Sequence, residues 1–205
     1  INTGKSGFGV LKTKLTSLNS FEEIHPDGPL SNSPFSLEFK NNDLWLTYGG
    51  YGISFQWSGG QSSTGISRYR QNEWLNIPYD SINSMVSSPQ FLSHTAINPF
   101  NTDQVFISSY YSGLLEVNNQ EVVNIYNENN STLNPFIPNR YLTSACKFDN
   151  NGALWVTTGR VQKPLSKFEN NQWTSYDFSS IIENPLNDEN GFSEVVIGPD
   201  GTKWI

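Results

Sequence analysis

Short segments in which apolar and polar residues alternate recur along the chain, and a cluster of turn-forming residues follows each one. The segments are SLEF (36–39), ACKF (145–148) and EVVI (194–197). Alternation with a period of two indicates a strand that buries one face. The residues after them, such as those at 41–43 and 199–201, favour tight turns. Since a second apolar segment follows each turn, the pattern predicts a β-hairpin at each place.

A second hairpin is predicted further along in each unit. Three pairs of apolar residues are separated by five positions, with mainly polar residues between them. They are Tyr69 and Trp74, Val117 and Val122, and Phe168 and Trp173; Val10 and Leu15 have the same spacing. This is the spacing of cross-strand partners on either side of a two-residue turn. Two hairpins in succession give four antiparallel strands.

An aromatic residue marks the same place in nearly every unit. Trp45, Phe106, Trp155 and Trp204 each fall in the second predicted strand, and the unit recurs about every 50 residues. Four antiparallel strands in a repeat of this length are typical of a β-propeller blade. We expect the aromatic side chain to pack against the next blade, because a lone four-stranded sheet cannot bury both of its faces.

The sequence therefore predicts an all-β fold in which residues 1–205 form about four blade equivalents of a β-propeller. The phase of the repeat places boundaries near 1–45, 46–106, 107–155 and 156–205. An excerpt from a larger propeller is the favoured arrangement. A ring of four blades, in which the two ends of the chain share one blade, is an alternative, as is a solenoid of stacked four-stranded sheets.

Antiparallel connectivity divides the loops between two faces. The turns within hairpins lie on one face, and the remaining connections, which are long in this sequence, lie on the other. Long connections in a compact domain are often functional. Several aromatic residues in them are candidates to stack on a sugar ring or a protein partner. The alternative is that their rings pack over the ends of their own blades. The candidate ligand-binding residues are Tyr48, Tyr51, Phe55, Trp57, Tyr110 and Tyr111.

Composition excludes some partners. Only 15% of the residues are charged, the formal net charge is −7, and the chain has no basic cluster. A nucleic acid is therefore not an expected partner, because phosphate contacts need grouped Lys and Arg. No apolar run reaches the length of about 18 residues that a membrane-spanning helix needs, so we expect no transmembrane segment.

Candidate catalytic and metal-binding residues are few. His25 and His94 have no metal-ligand spacing and are expected to be ordinary turn or surface residues. Cys146 is the only cysteine, which excludes an intrachain disulfide, and its place in a strand predicts a buried, unreactive thiol. The segment 149–152 is interpreted as a turn rather than a calcium loop. We therefore predict a protein without catalytic residues, metal or cofactor.

Two blade segments carry a family resemblance. FKNNDLWLTYGG (39–50) and FDNNGALWVTTG (148–159) resemble the blade signature of the two-component-regulator propellers, found in periplasmic sensor regions of hybrid histidine kinases in the Bacteroidetes. A more specific resemblance, to the PorZ-type propellers of the type IX secretion system, is carried by residues 97–117, 125–133 and 164–176. The second unit departs from the signature at Phe106.

The PorZ-type resemblance implies a non-enzymatic component at the cell surface, associated with the outer membrane. Such a protein would present anionic lipopolysaccharide to the sortase machinery, and its partners would be secretion-system proteins or a glycan. The alternative implied by the regulator resemblance is a periplasmic, oligosaccharide-sensing propeller of a hybrid histidine kinase. A third possibility, a propeller lyase or glycosidase, requires His, Tyr or carboxylate side chains that converge at the propeller axis.

Overall fold

A computed structural model describes most of the chain. The described residues are 2–5, 9–16, 19–24, 27–52, 63–85, 89–186 and 191–205. In chain order the elements are β1 (Asn2–Lys5), β2 (Gly9–Lys12), β3 (Glu22–Ile24), β4 (Ser36–Lys40), β5 (Asp43–Thr47), β6 (Ile66–Arg70), β7 (Glu73–Ile77), α1 (Tyr79–Met85), β8 (Leu92–Ile97), β9 (Gln104–Ser109), β10 (Gly113–Asn118), β11 (Glu121–Tyr126), β12 (Thr143–Phe148), β13 (Leu154–Thr158), β14 (Leu165–Glu169), β15 (Gln172–Tyr176), β16 (Val196–Ile197) and β17 (Lys203–Trp204).

The strands form three complete four-stranded antiparallel sheets, which we call blade 1 (β4–β7), blade 2 (β8–β11) and blade 3 (β12–β15). A three-stranded sheet, β1–β3, precedes them, and a pair, β16–β17, follows them. Neighbours in each sheet are consecutive in sequence. The first strand of blade 2 contacts the first strands of both blade 1 and blade 3. The predicted all-β propeller architecture is confirmed, and the expected phase boundaries at 45, 106 and 155 fall inside second strands.

Asparagine and glutamine account for the tight turns. Both central residues of four two-residue hairpin turns have positive φ, as a type I′ turn requires, and Asn tolerates that conformation better than most residues. The four pairs are Asn41-Asn42, Gln71-Asn72, Asn119-Gln120 and Asn170-Asn171. Because these turns fix the register, the predicted partners pair as expected in all three blades. The prediction for Val10 is wrong: it pairs with Ile24, since a longer loop joins β2 to β3.

The turn at Asp149 is closed by its own side chain. Asn151 and Ala153 both donate backbone N–H bonds of 3.0 Å to Asp149 Oδ1. The Trp155 indole Nε1–H donates to Oδ2 at 2.9 Å. Burial acts to raise the pKa of Asp149, but the hydrogen bonds from Trp155 and the two amides outweigh it and hold the pKa below its usual value. The Asp149 side chain thus closes the turn with Oδ1 and binds the strand that follows it with Oδ2, which confirms the interpretation of 149–152 as a turn.

The aromatic position in the second strand packs against the following sheet each time. Trp45 of blade 1 lies in one apolar cluster with Ile97 and Val105 of blade 2. Phe106 of blade 2 lies in another cluster with residues of blade 3, and its ring centroid is 5.7 Å from that of Phe148. Trp155 of blade 3 packs with Val195 and Ile197 at the C-terminal pair.

The exposure of these aromatic residues follows from that arrangement. Trp45, Phe106 and Trp155 are exposed by 0%, 1% and 8%, whereas Trp204, at the same place in the last sheet, is 67% exposed. The expectation that Trp45 and Trp155 have equivalent surroundings is therefore confirmed. Cys146 belongs to the cluster between blades 2 and 3, where burial raises the pKa of its thiol to about 12. Its predicted burial is confirmed.

An ion pair buried in blade 1 extends to a carboxylate of blade 2 near the tight turns. Arg68 donates two bonds to Asp43, of 2.9 Å from Nε and 2.5 Å from Nη2, and both side chains are almost fully buried. The same guanidinium reaches Asp103 in the first turn of blade 2 at 3.2 Å, and Arg70 binds Asp103 at 2.7 Å. The Arg68 guanidinium also lies 5.0 Å from the Trp45 ring centroid. Charge pairing and aromatic packing therefore secure the same interface.

Replacement of Trp45 by alanine should strongly destabilise the protein, because the cavity would lie between two blades. We expect Trp45→Ala to lower the free energy of unfolding by about 3–5 kcal/mol, the usual cost of removing a buried large aromatic side chain. Urea unfolding followed by circular dichroism measures it.

Trp204→Ala is the matched control, since it removes the same side chain from the same position of the repeat where it is exposed. Its cost should stay near 0.5 kcal/mol, roughly the range of surface substitutions. An equal loss of unfolding free energy in the two variants would show that the buried aromatic residues of the second strands do not hold the blades together.

Candidate ligand-binding face

One face of the propeller carries the connections that join second to third strands and one blade to the next. We call it the long-loop face. Its connections differ in length more than the sequence suggested. The one between β9 and β10 consists only of Tyr110, Tyr111 and Ser112, whereas the one between blades 2 and 3 runs from 127 to 142. The connection between blades 1 and 2 includes the short helix α1.

Two of the predicted ligand-binding residues lie inside the protein. Tyr48 is 2% exposed and its hydroxyl donates to Ser67 Oγ at 2.6 Å. Tyr110 is 1% exposed and belongs to an apolar cluster with Phe91 and Leu142. Each residue directly follows a second strand, so its ring continues the packing of that strand. The surroundings of Tyr48 and Tyr110 therefore agree with the alternative interpretation, in which the rings pack over the ends of their own blades.

Two other predicted ligand-binding residues lie near the surface of the same cluster. Tyr51 and Tyr111 are half-buried, and both pack against the cluster that contains Tyr110. The Tyr51 and Tyr110 ring centroids are 4.6 Å apart. Phe55 and Trp57 lie outside the described residues. A direct ligand contact by Tyr51, Tyr111, Phe55 or Trp57 therefore stays a prediction.

His94 is not the isolated histidine that the sequence suggested. It lies in β8, the first strand of blade 2, and its Nε2 is 3.1 Å from the Tyr51 hydroxyl. Tyr51 donates that hydroxyl to the backbone carbonyl of Ser193, just before the C-terminal pair. The Tyr51 oxygen then accepts from Nε2–H, which leaves Nδ1 to accept from the Ser36 hydroxyl in β4 at 3.4 Å. These bonds join blade 1, blade 2 and the C-terminal segment at the propeller axis.

An ion pair crosses the same region. Lys147 Nζ in β12 lies 2.7 Å and 2.8 Å from the two carboxylate oxygens of Glu38 in β4. The first strands of blades 1 and 3 are thus tied together beside the first strand of blade 2. Sequence reasoning missed this group of residues. The signal in the sequence was the presence of polar residues in the first strands, at positions where the alternation predicts that a side chain is buried or faces a neighbouring sheet.

The environment of His94 favours the neutral imidazole. Burial lowers the pKa of His94, and the positive charge of Lys147 acts in the same direction, while Glu194 opposes them. Burial likewise raises the pKa of the Tyr51 hydroxyl. At neutral pH the chain of hydrogen bonds therefore consists of uncharged groups. This convergence of His, Tyr and carboxylate at the axis is what a propeller enzyme would require, but His94 is bonded to Tyr51 and Glu38 is paired with Lys147.

Two arginines lie on the long-loop face beside the tyrosines. The Arg140 guanidinium carbon is 3.5 Å from the Tyr111 ring centroid, and that of Arg160 is 5.1 Å from the Phe136 ring centroid. Both distances are within the range of cation–π contacts. Neither arginine was singled out from the sequence, because a single basic residue in a polar loop carries no pattern.

Within the described part of the chain, no group of three or more His, Cys, Asp or Glu side chains is placed to hold a metal ion. The same residues contain no helix that is long and apolar enough to cross a membrane.

Comparison with solved structures identifies the architecture. No protein-family model matches the sequence, and no curated protein matches it. The chain is similar to PorZ, described as an essential bacterial surface component of the type IX secretion system of Porphyromonas gingivalis. The TM-score is 0.76 at 22% identity, over 96% of this chain and 26% of PorZ.

Two further structures are similar at lower identity. The extracellular domain of the putative one-component system BT4673 of B. thetaiotaomicron gives a TM-score of 0.54 at 15% identity, over 97% of this chain and 23% of that one. Virginiamycin B lyase of Staphylococcus aureus gives 0.57 at 13% identity, over 84% of this chain and 48% of the lyase. The resemblance to PorZ-type and regulator propellers is confirmed in the fold. This chain spans about a quarter of the length of PorZ.

Neutral His94 should make the fold sensitive to mild acid. A histidine whose pKa is depressed in the folded state contributes stability above its unfolded pKa, and that stability is lost as the pH falls through the folded pKa. We expect the melting temperature of the wild type to fall more between pH 7 and pH 5 than that of His94→Gln.

The comparison is made by thermal unfolding at several pH values in one buffer series. All other titratable groups are common to the two proteins, so the difference between the curves reports on His94. Parallel curves would mean that protonation of His94 does not change the stability of the fold, and this would contradict the lowered pKa inferred from the burial of its ring.

Proposed function

We propose that this chain is a non-enzymatic binding and scaffold module of type IX protein secretion, which presents anionic lipopolysaccharide to the sortase machinery at the cell surface. The observation that carries the proposal is the fold similarity to PorZ over 96% of the chain at a TM-score of 0.76. An extracytoplasmic location, associated with the outer membrane, is part of the proposal. The alternative location is the periplasm.

The arrangement of side chains at the axis supports a role in binding rather than in catalysis. His94 has partners for both ring nitrogens, and Lys147 is paired with Glu38. A general acid or base needs a proton position that faces the substrate. Here the candidate groups use those positions to join the sheets. The long-loop face remains the proposed site of contact with the glycan, through Tyr51, Tyr111 and the predicted Phe55 and Trp57.

A second candidate function is an oligosaccharide-sensing propeller of a two-component system. The observation that favours it is the similarity to the extracellular domain of BT4673, which spans 97% of this chain. The TM-score is lower, 0.54 against 0.76. The two functions predict different behaviour in the cell, since a sensor changes transcription and a secretion component changes the fate of cargo.

Deletion of the gene in its own bacterium separates the two. If the chain serves secretion, cargo proteins should lose their attachment to the cell surface and accumulate in the periplasm or the medium. Cell fractionation and surface labelling of cargo measure this. Normal attachment of cargo together with a lost transcriptional response to an oligosaccharide would contradict the secretion role and favour the sensor.

Purified protein should bind lipopolysaccharide, and Trp57→Ala should weaken that binding about three- to tenfold, the expected effect of losing one aromatic contact with a sugar. Biolayer interferometry on immobilised lipopolysaccharide measures the dissociation constant. Trp204→Ala, which changes an exposed tryptophan of the last sheet, is the control and should bind like the wild type. Unchanged binding by Trp57→Ala would remove that loop from the site.

A further inference from the structure

The four arginines of the chain have two kinds of surroundings. Arg68 and Arg70, near the tight turns, are bound to Asp43 and Asp103. Arg140 and Arg160, on the long-loop face, lie over the rings of Tyr111 and Phe136. The first pair neutralises carboxylates of the protein. The second pair places positive charge beside aromatic side chains at the surface.

Arg140 and Arg160 are held by one framework. Tyr111 and Phe136 both pack against the apolar cluster of Phe91, Tyr110 and Leu142. The Arg140 carbonyl accepts a 2.9 Å bond from the backbone of Phe136. Gly159, the residue before Arg160, donates a 2.9 Å bond to the Leu142 carbonyl, two residues after Arg140. Both guanidinium groups therefore project from rigid backbone at the boundary between blades 2 and 3.

Stacking fixes the orientation of the Arg140 guanidinium but leaves its hydrogen-bond donors available. A guanidinium that rests face-down on a ring directs its N–H groups outward in its own plane. Among the described residues, the Arg140 side chain makes no hydrogen bond and no ion pair, and it is half-buried. A planar fork of donors in a fixed position is suited to bidentate binding of a carboxylate or a phosphate.

The surroundings of Arg140 favour a carbohydrate as the bearer of that anion. The connection that leads to Arg140 exposes Asn129, Asn134 and Asn139. Amide side chains both donate to and accept from sugar hydroxyls. Because the chain has a net charge of −7, an acidic ligand would be repelled elsewhere and drawn to the few places where positive charge is concentrated.

We propose that Arg140 is the anion-binding residue of a site for an acidic sugar, a hexose that carries a phosphate or a carboxylate. Arg140 binds the anion with its fork, and the asparagines of the 127–139 connection contact the hydroxyl groups. This site deepens the proposed function, on which it rests, by assigning the recognition of anionic glycan to named residues.

The test uses purified protein and four probes: glucose 6-phosphate, glucuronate, glucose and inorganic phosphate. Protein-observed NMR titration measures the dissociation constants. Both acidic hexoses should bind, and glucose should bind at least about tenfold more weakly, since it lacks the charge-assisted hydrogen bonds. A preference between glucose 6-phosphate and glucuronate identifies the natural anion as phosphate or carboxylate.

Variants assign the effect to the site. Arg140→Gln should weaken binding of the acidic hexoses about tenfold or more, and Arg140→Lys, which keeps the charge but loses the fork, should fall between it and the wild type. Arg70→Gln is the matched control, because it removes the same charge from the opposite face. Arg140→Lys also serves as the second variant should Arg140→Gln not fold, and thermal unfolding checks every protein.

The outcomes separate this inference from the proposed function. Equal affinity for glucose and for the acidic hexoses, or no effect in the variant Arg140→Gln, overturns the site even where lipopolysaccharide still binds. Inorganic phosphate binding as tightly as glucose 6-phosphate overturns the recognition of the sugar. Arginine-dependent binding of acidic hexoses by a protein that neither binds lipopolysaccharide nor affects cargo supports the site and contradicts the secretion role.

Discussion

The fold depends on the burial of one aromatic side chain per blade against the next sheet. A four-stranded sheet that lies between two others has two faces to bury, and the sheet itself covers neither. Trp45 and Trp155 cover this surface in their blades, and Phe106 does so in blade 2 with help from neighbouring rings. The Phe106 ring centroid lies 6.1 Å from that of Tyr126 and 5.7 Å from that of Phe148, so a smaller ring is supplemented by two others where the sequence departs from tryptophan.

Radial packing of this kind determines where polar chemistry is possible. The faces of the sheets are committed to neighbouring blades, so charged and polar groups concentrate at the two ends of the strands and along the axis. At the tight-turn end, Asp43 and Arg68 are buried and bonded to each other, and Arg68 also binds the partly exposed Asp103. At the other end, insertions are tolerated because the strands are already fixed, and that is the usual condition for a binding surface on a rigid scaffold.

Much of the fold follows from local patterns in the sequence, and the registers show why. Tyr69 and Trp74 are partners because the two-residue turn Gln71-Asn72 permits only one pairing of the strands beside it, and six consecutive residues, 69–74, determine that pairing. The bond between Tyr51 and His94 joins residues 43 positions apart, and it exists only once two blades are side by side. No local pattern encodes that distance. The burial of Tyr48 could not be predicted either, since the local sequence of an aromatic residue beside glycines does not indicate whether its ring faces the protein or the solvent.

The axis and the long-loop face differ in how their polar side chains are held, and this difference indicates which functions the propeller can have. At the axis, Lys147 and Glu38 neutralise each other and His94 is held neutral by burial, so the polar groups act as joints between sheets. On the long-loop face, aromatic packing holds the Arg140 guanidinium without consuming its donors. A group that is positioned by stacking keeps its hydrogen-bonding capacity for a ligand, whereas a group positioned by an ion pair does not. The side chains therefore favour recognition on the long-loop face over chemistry at the axis.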